Sequence, residues 1–109
     1  LAKIGLLCLQ KGRWQARQIV AAAWIEQSTT AHIPLGDGHG YGRLWWVSTS
    51  ASIRFFSAVG YGGQLLLVAP QHQLVVVANH NHDVPAESAV KQSRDFYDQV
   101  FVKIVASTR

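Results

Sequence analysis

A chain of 109 residues, 49% hydrophobic and 15% charged, is one domain or a piece of a larger one, and it is too apolar to stay disordered. Its formal charge of +4 comes from Lys and Arg scattered between Lys3 and Arg109 with no like-charged run, so no nucleic-acid footprint is expected. One cysteine, Cys8, rules out an internal disulfide framework, and no stretch reaches the ~20 apolar residues of a membrane span. The first residues do not show a signal-peptide pattern, and the compartment, cytoplasmic or periplasmic, stays open. Four Trp, four Phe and three Tyr are many for this length, which suggests that some of them meet a partner or a missing portion of the same fold.

Leu1, Ile4, Leu7 and Cys8 recur at helical spacing, and Lys11 before Gly12 is a helix ending, so a helix is expected at about 1–11. It opens at Leu1 in mid-pattern without a cap, and the natural chain is therefore expected to begin earlier. Residues 13–20 read as a link, and a second, weakly capped helix is expected at about 21–28 with Trp24 and Ile25 inward. Residues 29–42, with Pro34, Gly36, Gly38, Gly40 and Gly42, read as a loop of the kind that carries binding residues. Strands follow at about 43–47, 53–59, 64–69 and 74–79, and their short links make neighbours antiparallel. The continuous apolar runs 65–68 and 74–77 call for cover on both faces. A last helix, about 86–105, has Val90, Phe96, Tyr97, Val100, Phe101, Ile104 and Val105 as its inner stripe. The expected fold is α/β of the α+β kind, in one domain over 1–109. A four-stranded antiparallel meander carries the C-terminal helix on one face, with two N-terminal helices beside it.

Between the second and third strands, Val59-Gly60-Tyr61-Gly62-Gly63-Gln64 sets three glycines in four positions among sheet formers. Glycine is needed where φ is positive or where another group approaches the backbone closely. Two readings stay open: a Gly-rich hairpin, or a strand-edge motif whose N–H groups face a reacting group. Gln64 either hydrogen-bonds a substrate amide or closes the hairpin. Of Trp45 and Trp46, one ring is expected in the core and the other over a sheet face, with a substrate platform as the alternative. His39 is a general base only if a hydroxyl lies within reach, and otherwise an exposed loop histidine. His80, His82 and Asp83 close the fourth strand; without a third well-placed ligand they read as polar capping residues, and no metal is expected.

Several phrases, taken together, resemble the C-terminal part of the serine β-lactamase-like hydrolases. That superfamily includes class C β-lactamases, penicillin-binding DD-peptidases, family VIII-type esterases and 6-aminohexanoate-dimer hydrolases. The phrases are Leu1-Ala2-Lys3-Ile4-Gly5-Leu6-Leu7, Lys11-Gly12-Arg13-Trp14 with Gln18-Ile19-Val20, and Trp24-Ile25-Glu26-Gln27-Ser28-Thr29. Tyr41-Gly42-Arg43-Leu44-Trp45-Trp46-Val47, Gly60-Tyr61-Gly62-Gly63-Gln64 and Val75-Val76-Val77 complete the set. None is specific alone; their order and spacing carry the resemblance.

The resemblance implies acyl transfer by the Ser of a Ser-x-x-Lys motif, helped by a Tyr, with a Lys-Thr-Gly or His-x-Gly strand element as third party. Tyr61-Gly62-Gly63, with Gln64, looks like that third element and implies an oxyanion region, while Trp45, Trp46 and His39 are possible groove residues. Tyr61 in place of Lys or His speaks against β-lactam hydrolysis and for an esterase or amidase. In the family the nucleophile and tyrosine elements precede all these segments, so no catalytic set is complete here and the chain alone is expected to be inert. The one Ser-x-x-Lys string, Ser88-Ala89-Val90-Lys91, falls in the first turns of the last helix and reads as solvated helix surface. No cofactor is expected. The expected partner is the missing N-terminal part of the fold, or a second copy meeting the edge of strand 74–79; a small ester or amide follows only once the fold is completed.

Overall fold

Residues 65–69 place five consecutive side chains at 4% exposure or less, a burial that one strand achieves only with a layer on each side. In the computed structural model, which describes residues 1–50 and 52–108, that strand sits inside an antiparallel sheet with helices on both faces. Helix α1 (Ala2–Leu9) is followed by a small hairpin, β1 (Arg13–Trp14) and β2 (Arg17–Gln18), and by helix α2 (Ala22–Ser28). The main sheet is a meander of β3 (Ile33–Gly36), β4 (His39–Tyr41), β5 (Trp46–Ser50), β6 (Ile53–Gly60), β7 (Gln64–Ala69) and β8 (Leu74–Ala78), each beside the next. Helix α3 (Ala86–Phe96), a wide π turn (Tyr97–Phe101) and α4 (Val102–Ser107) end the chain.

Strand alternation divides the sheet into two cores. Leu65, Leu67 and Ala69 join Phe55, Ala78, Phe101 and Val105 beneath the C-terminal helix. Leu66 and Val68 join Phe56, Val47, Cys8 and Ile25 beneath α1 and α2. The N-terminal helices therefore lie on the opposite face from the last helix. The π turn shifts the helical register at Tyr97 and Phe101, and both rings stack around Phe55, with centroids 5.5 and 5.1 Å away.

The sheet has six strands where the sequence led us to expect four. Residues 29–42 are not a plain loop: Gly36, Asp37 and Gly38 all take positive φ and turn the chain into the β3–β4 hairpin. Arg43 to Trp45, read as the start of a strand, form a turn with Leu44 at φ 68°, and β5 begins only at Trp46.

Cys8 is buried at 8% exposure, and burial pushes its thiol above the ordinary value of 9.0. The unfolded chain loses this proton at lower pH than the folded one, so the contribution is intact below the ordinary thiol value and fades as pH rises past it. We predict that the urea midpoint falls more steeply between neutral pH and about 10 in the native chain than in Cys8→Ala. A disulfide reagent should label Cys8 only as fast as the chain opens; labelling at a free-thiol rate would contradict this burial.

Candidate functional site

The β6–β7 connection is tight because Gly62 and Gly63 both lie at positive φ, 79° and 80°. A Cβ on Gly62 would come within 2.7 Å of the His82 Cα, and one on Gly63 within 3.1 Å of His80 Nδ1. The close approach that these glycines permit is made by the chain's own residues 80–82, and both glycines are buried.

Side-chain amides fix the corner. Gln64 Nε2 donates to the His80 carbonyl at 2.6 Å, and the His80 N–H donates back to Gln64 Oε1 at 3.3 Å, so this amide extends the ladder past the end of β8. Gln92 Nε2, from α3, donates to the Gly62 and Asn81 carbonyls at 2.9 and 3.0 Å. His80 Nδ1 lies 2.7 Å from the Gly63 carbonyl, which only accepts, so Nδ1 carries the proton. The ring stands edge-on to Phe96. The Tyr61 hydroxyl donates to the Val84 carbonyl at 2.8 Å while its ring remains 61% exposed.

The open part of the corner is the strand end before it. β6 pairs with β7 up to Gly60↔Gln64, but β5 accompanies it only as far as Trp46↔Ser57. Residues 58–60 thus keep one backbone edge without a strand partner among the described residues. Ala58, Val59 and Gly60, with Gln64, Leu66 and Leu1, line a cavity of about 280 Å³.

The other sequence candidates divide between the two faces. Trp45 packs edge-on against Phe56, centroids 5.0 Å apart, in the core under α1 and α2. Trp46 is 45% exposed on the other face, 4.8 Å from the Tyr41 ring. His39 is exposed, on β4 and not in a loop, and a hydroxyl does lie within reach: its Nδ1 is 2.9 Å from Ser48 Oγ. His39 and Trp46 share a second cavity, of about 380 Å³, whose wall includes Val59. His80 turns inward and His82 outward, and the described residues hold no group of three metal-ligating side chains. Ser88 is exposed on α3, and Lys91 is ion-paired to Asp95 along the same helix.

No family model and no curated protein matches the sequence. Among solved structures, the chain is similar to one described as "Putative 6-aminohexanoate-dimer hydrolase from Bacillus anthracis", with a TM-score of 0.74 and 22% identity. The likeness covers 95% of this chain and 27% of that one. The chain carries part of a β-lactamase-like fold.

The corner expected from the sequence is closed at its glycines and open just before them. Gly62 and Gly63 are enclosed by residues 80–82 and Gln92, and Gln64 spends its amide closing the corner, so the accessible backbone is that of residues 58–61. No sequence signal marked Ala58, Val59 and Gly60, because their open edge depends on where β5 stops pairing with β6. We predict that Gly62→Ala, forced into positive φ against the His82 backbone, lowers stability by roughly 1–3 kcal/mol. Gln92→Ala, which frees two carbonyls at a partly exposed site, should cost about 1 kcal/mol. Urea midpoints check both; an unshifted Gly62→Ala would mean that the corner is looser than described.

Proposed function

We propose that this chain is the C-terminal segment of a serine hydrolase of the β-lactamase-like class, of esterase or amidase type. It supplies the strand-edge element of the active site and not the nucleophile. The observation that carries the reading is the open edge of residues 58–60, beside a turn closed by two left-handed glycines, in a chain similar to 27% of a hydrolase's length.

The chemistry follows from that edge. When a serine hydroxyl attacks an ester or amide carbonyl, the negative charge collects on the carbonyl oxygen, and backbone N–H groups held in place beforehand stabilise it without reorganising. A strand edge beyond the reach of its neighbour offers such donors and lets the substrate backbone lie alongside. Tyr61 brings no cation to this position, and its hydroxyl is already donated to Val84, which favours a neutral ester or amide over a substrate held by its carboxylate. Ser88 on the outer helix, with Lys91 occupied by Asp95, is no substitute nucleophile. The purified chain is expected to leave nitrocefin and p-nitrophenyl esters unhydrolysed above the buffer rate. Turnover that disappears in Ser88→Ala would overturn the proposal.

A second reading, a free-standing non-catalytic module that associates with itself, is favoured by β8. This strand pairs only with β7 among the described residues, and residues 74–78 are apolar without a charge, a proline or a bulge to protect the outer edge. Two copies meeting there would extend the sheet about a two-fold axis. Light scattering at micromolar concentration should then give a dimer; a clean monomer removes this reading.

A further inference from the structure

The C-terminal helix covers only part of its sheet face. Above β6, β7 and β8 lie Phe96, Tyr97, Phe101 and Val105, but the same face of β4 and β5 carries His39, Trp46 and Ser48 at the rim of the 380 Å³ cavity. Its floor is apolar: Phe55, Leu65 and Leu67 are each buried at 4% exposure or less. Its polar rim makes it more than a gap in packing. The Ser48 hydroxyl, 8% exposed, is held by His39 at 2.9 Å. Ser57, only 5% exposed, sets a second hydroxyl-bearing residue in the same wall. Arg94, on the helix wall, has no acidic partner among them, since the one ion pair of α3 joins Lys91 to Asp95. Among the described residues, no carboxylate lines the cavity.

One unpaired guanidinium above an apolar floor selects a singly charged anion with an apolar body. A phosphate would call for several donors or cations, and a purely apolar surface laid over the cavity would cover the Arg94 guanidinium without a partner at a cost. We propose that this groove binds a small carboxylic acid with an aromatic or branched apolar body. Its carboxylate pairs with Arg94, its body rests on Phe55, Leu65 and Leu67 beside Trp46, and Ser57 supplies a hydroxyl to it. The inference does not rest on the acyl-transfer reading, because an inert chain would bind the acid equally well.

The test is an amide-detected NMR titration of the chain with 3-phenylpropionate and, in parallel, with the uncharged 3-phenylpropionamide. The acid should give saturable shifts at His39, Trp46, Ser57 and Val59, and should bind about tenfold more tightly than the amide. Arg94→Gln should bring the acid down to the affinity of the amide while leaving the rest of the spectrum in place. Arg94→Lys, which keeps the charge, should retain most of the binding, and it serves as the control if Arg94→Gln perturbs the fold. Absence of saturable shifts at millimolar acid, equal affinity for acid and amide, or unchanged binding in Arg94→Gln each overturns the proposal.

Discussion

The burial of β7 on both of its faces is the constraint on which the remaining architecture depends. With Val68 and Ala69 at 0% exposure and Leu65, Leu66 and Leu67 close to it, neither surface of the strand can face water. At about 25 cal/mol per Å² of apolar surface, leaving either face open would cost several kcal/mol, a large share of a domain's margin of stability. One helical layer on each side follows, as does the central place of β7 between β6 and β8. The ends of β6 and β7 are held rigidly because the middle of the pair is locked in two cores at once.

That rigidity gives the corner its character. Gly62 and Gly63 are surrounded by the chain's own residues 80–82, and the amides of Gln64 and Gln92 take up the carbonyls there. The turn is therefore a fixed abutment rather than a flexible flap. The backbone before it, residues 58–60, is left at a sheet margin with one edge free, because β5 is shorter than β6 at that end. A preorganised donor needs both properties, a backbone that does not move and an edge that no strand fills.

The two sheet faces also divide the aromatic residues by task. Trp45 and Phe56 lock the N-terminal side, whereas Phe55, Tyr97 and Phe101 lock the C-terminal side through a ring cluster that the π turn makes possible. Trp46, one residue from Trp45, is forced to the opposite face by strand alternation and stays half exposed against Tyr41. An adjacent pair of tryptophans thus reports on two different environments.

Local pattern in the sequence was sufficient for the last helix, by its 3.6 repeat, and for the strands 53–59, 64–69 and 74–79 and the two-sided burial of 65–68, by short unbroken apolar runs between turn residues. The glycines around Tyr61 announced that some group would come close to the backbone there. Which group came, the chain's own His80 and His82, was decided by residues some twenty positions away, and no local pattern records such a meeting. The β3–β4 hairpin was likewise hidden, since its short strands contain Pro34 and Gly40 and are held by pairing with β5 more than by intrinsic preference. The open edge at residues 58–60 exists only as a difference in length between two neighbouring strands, and so it belongs to the tertiary structure alone.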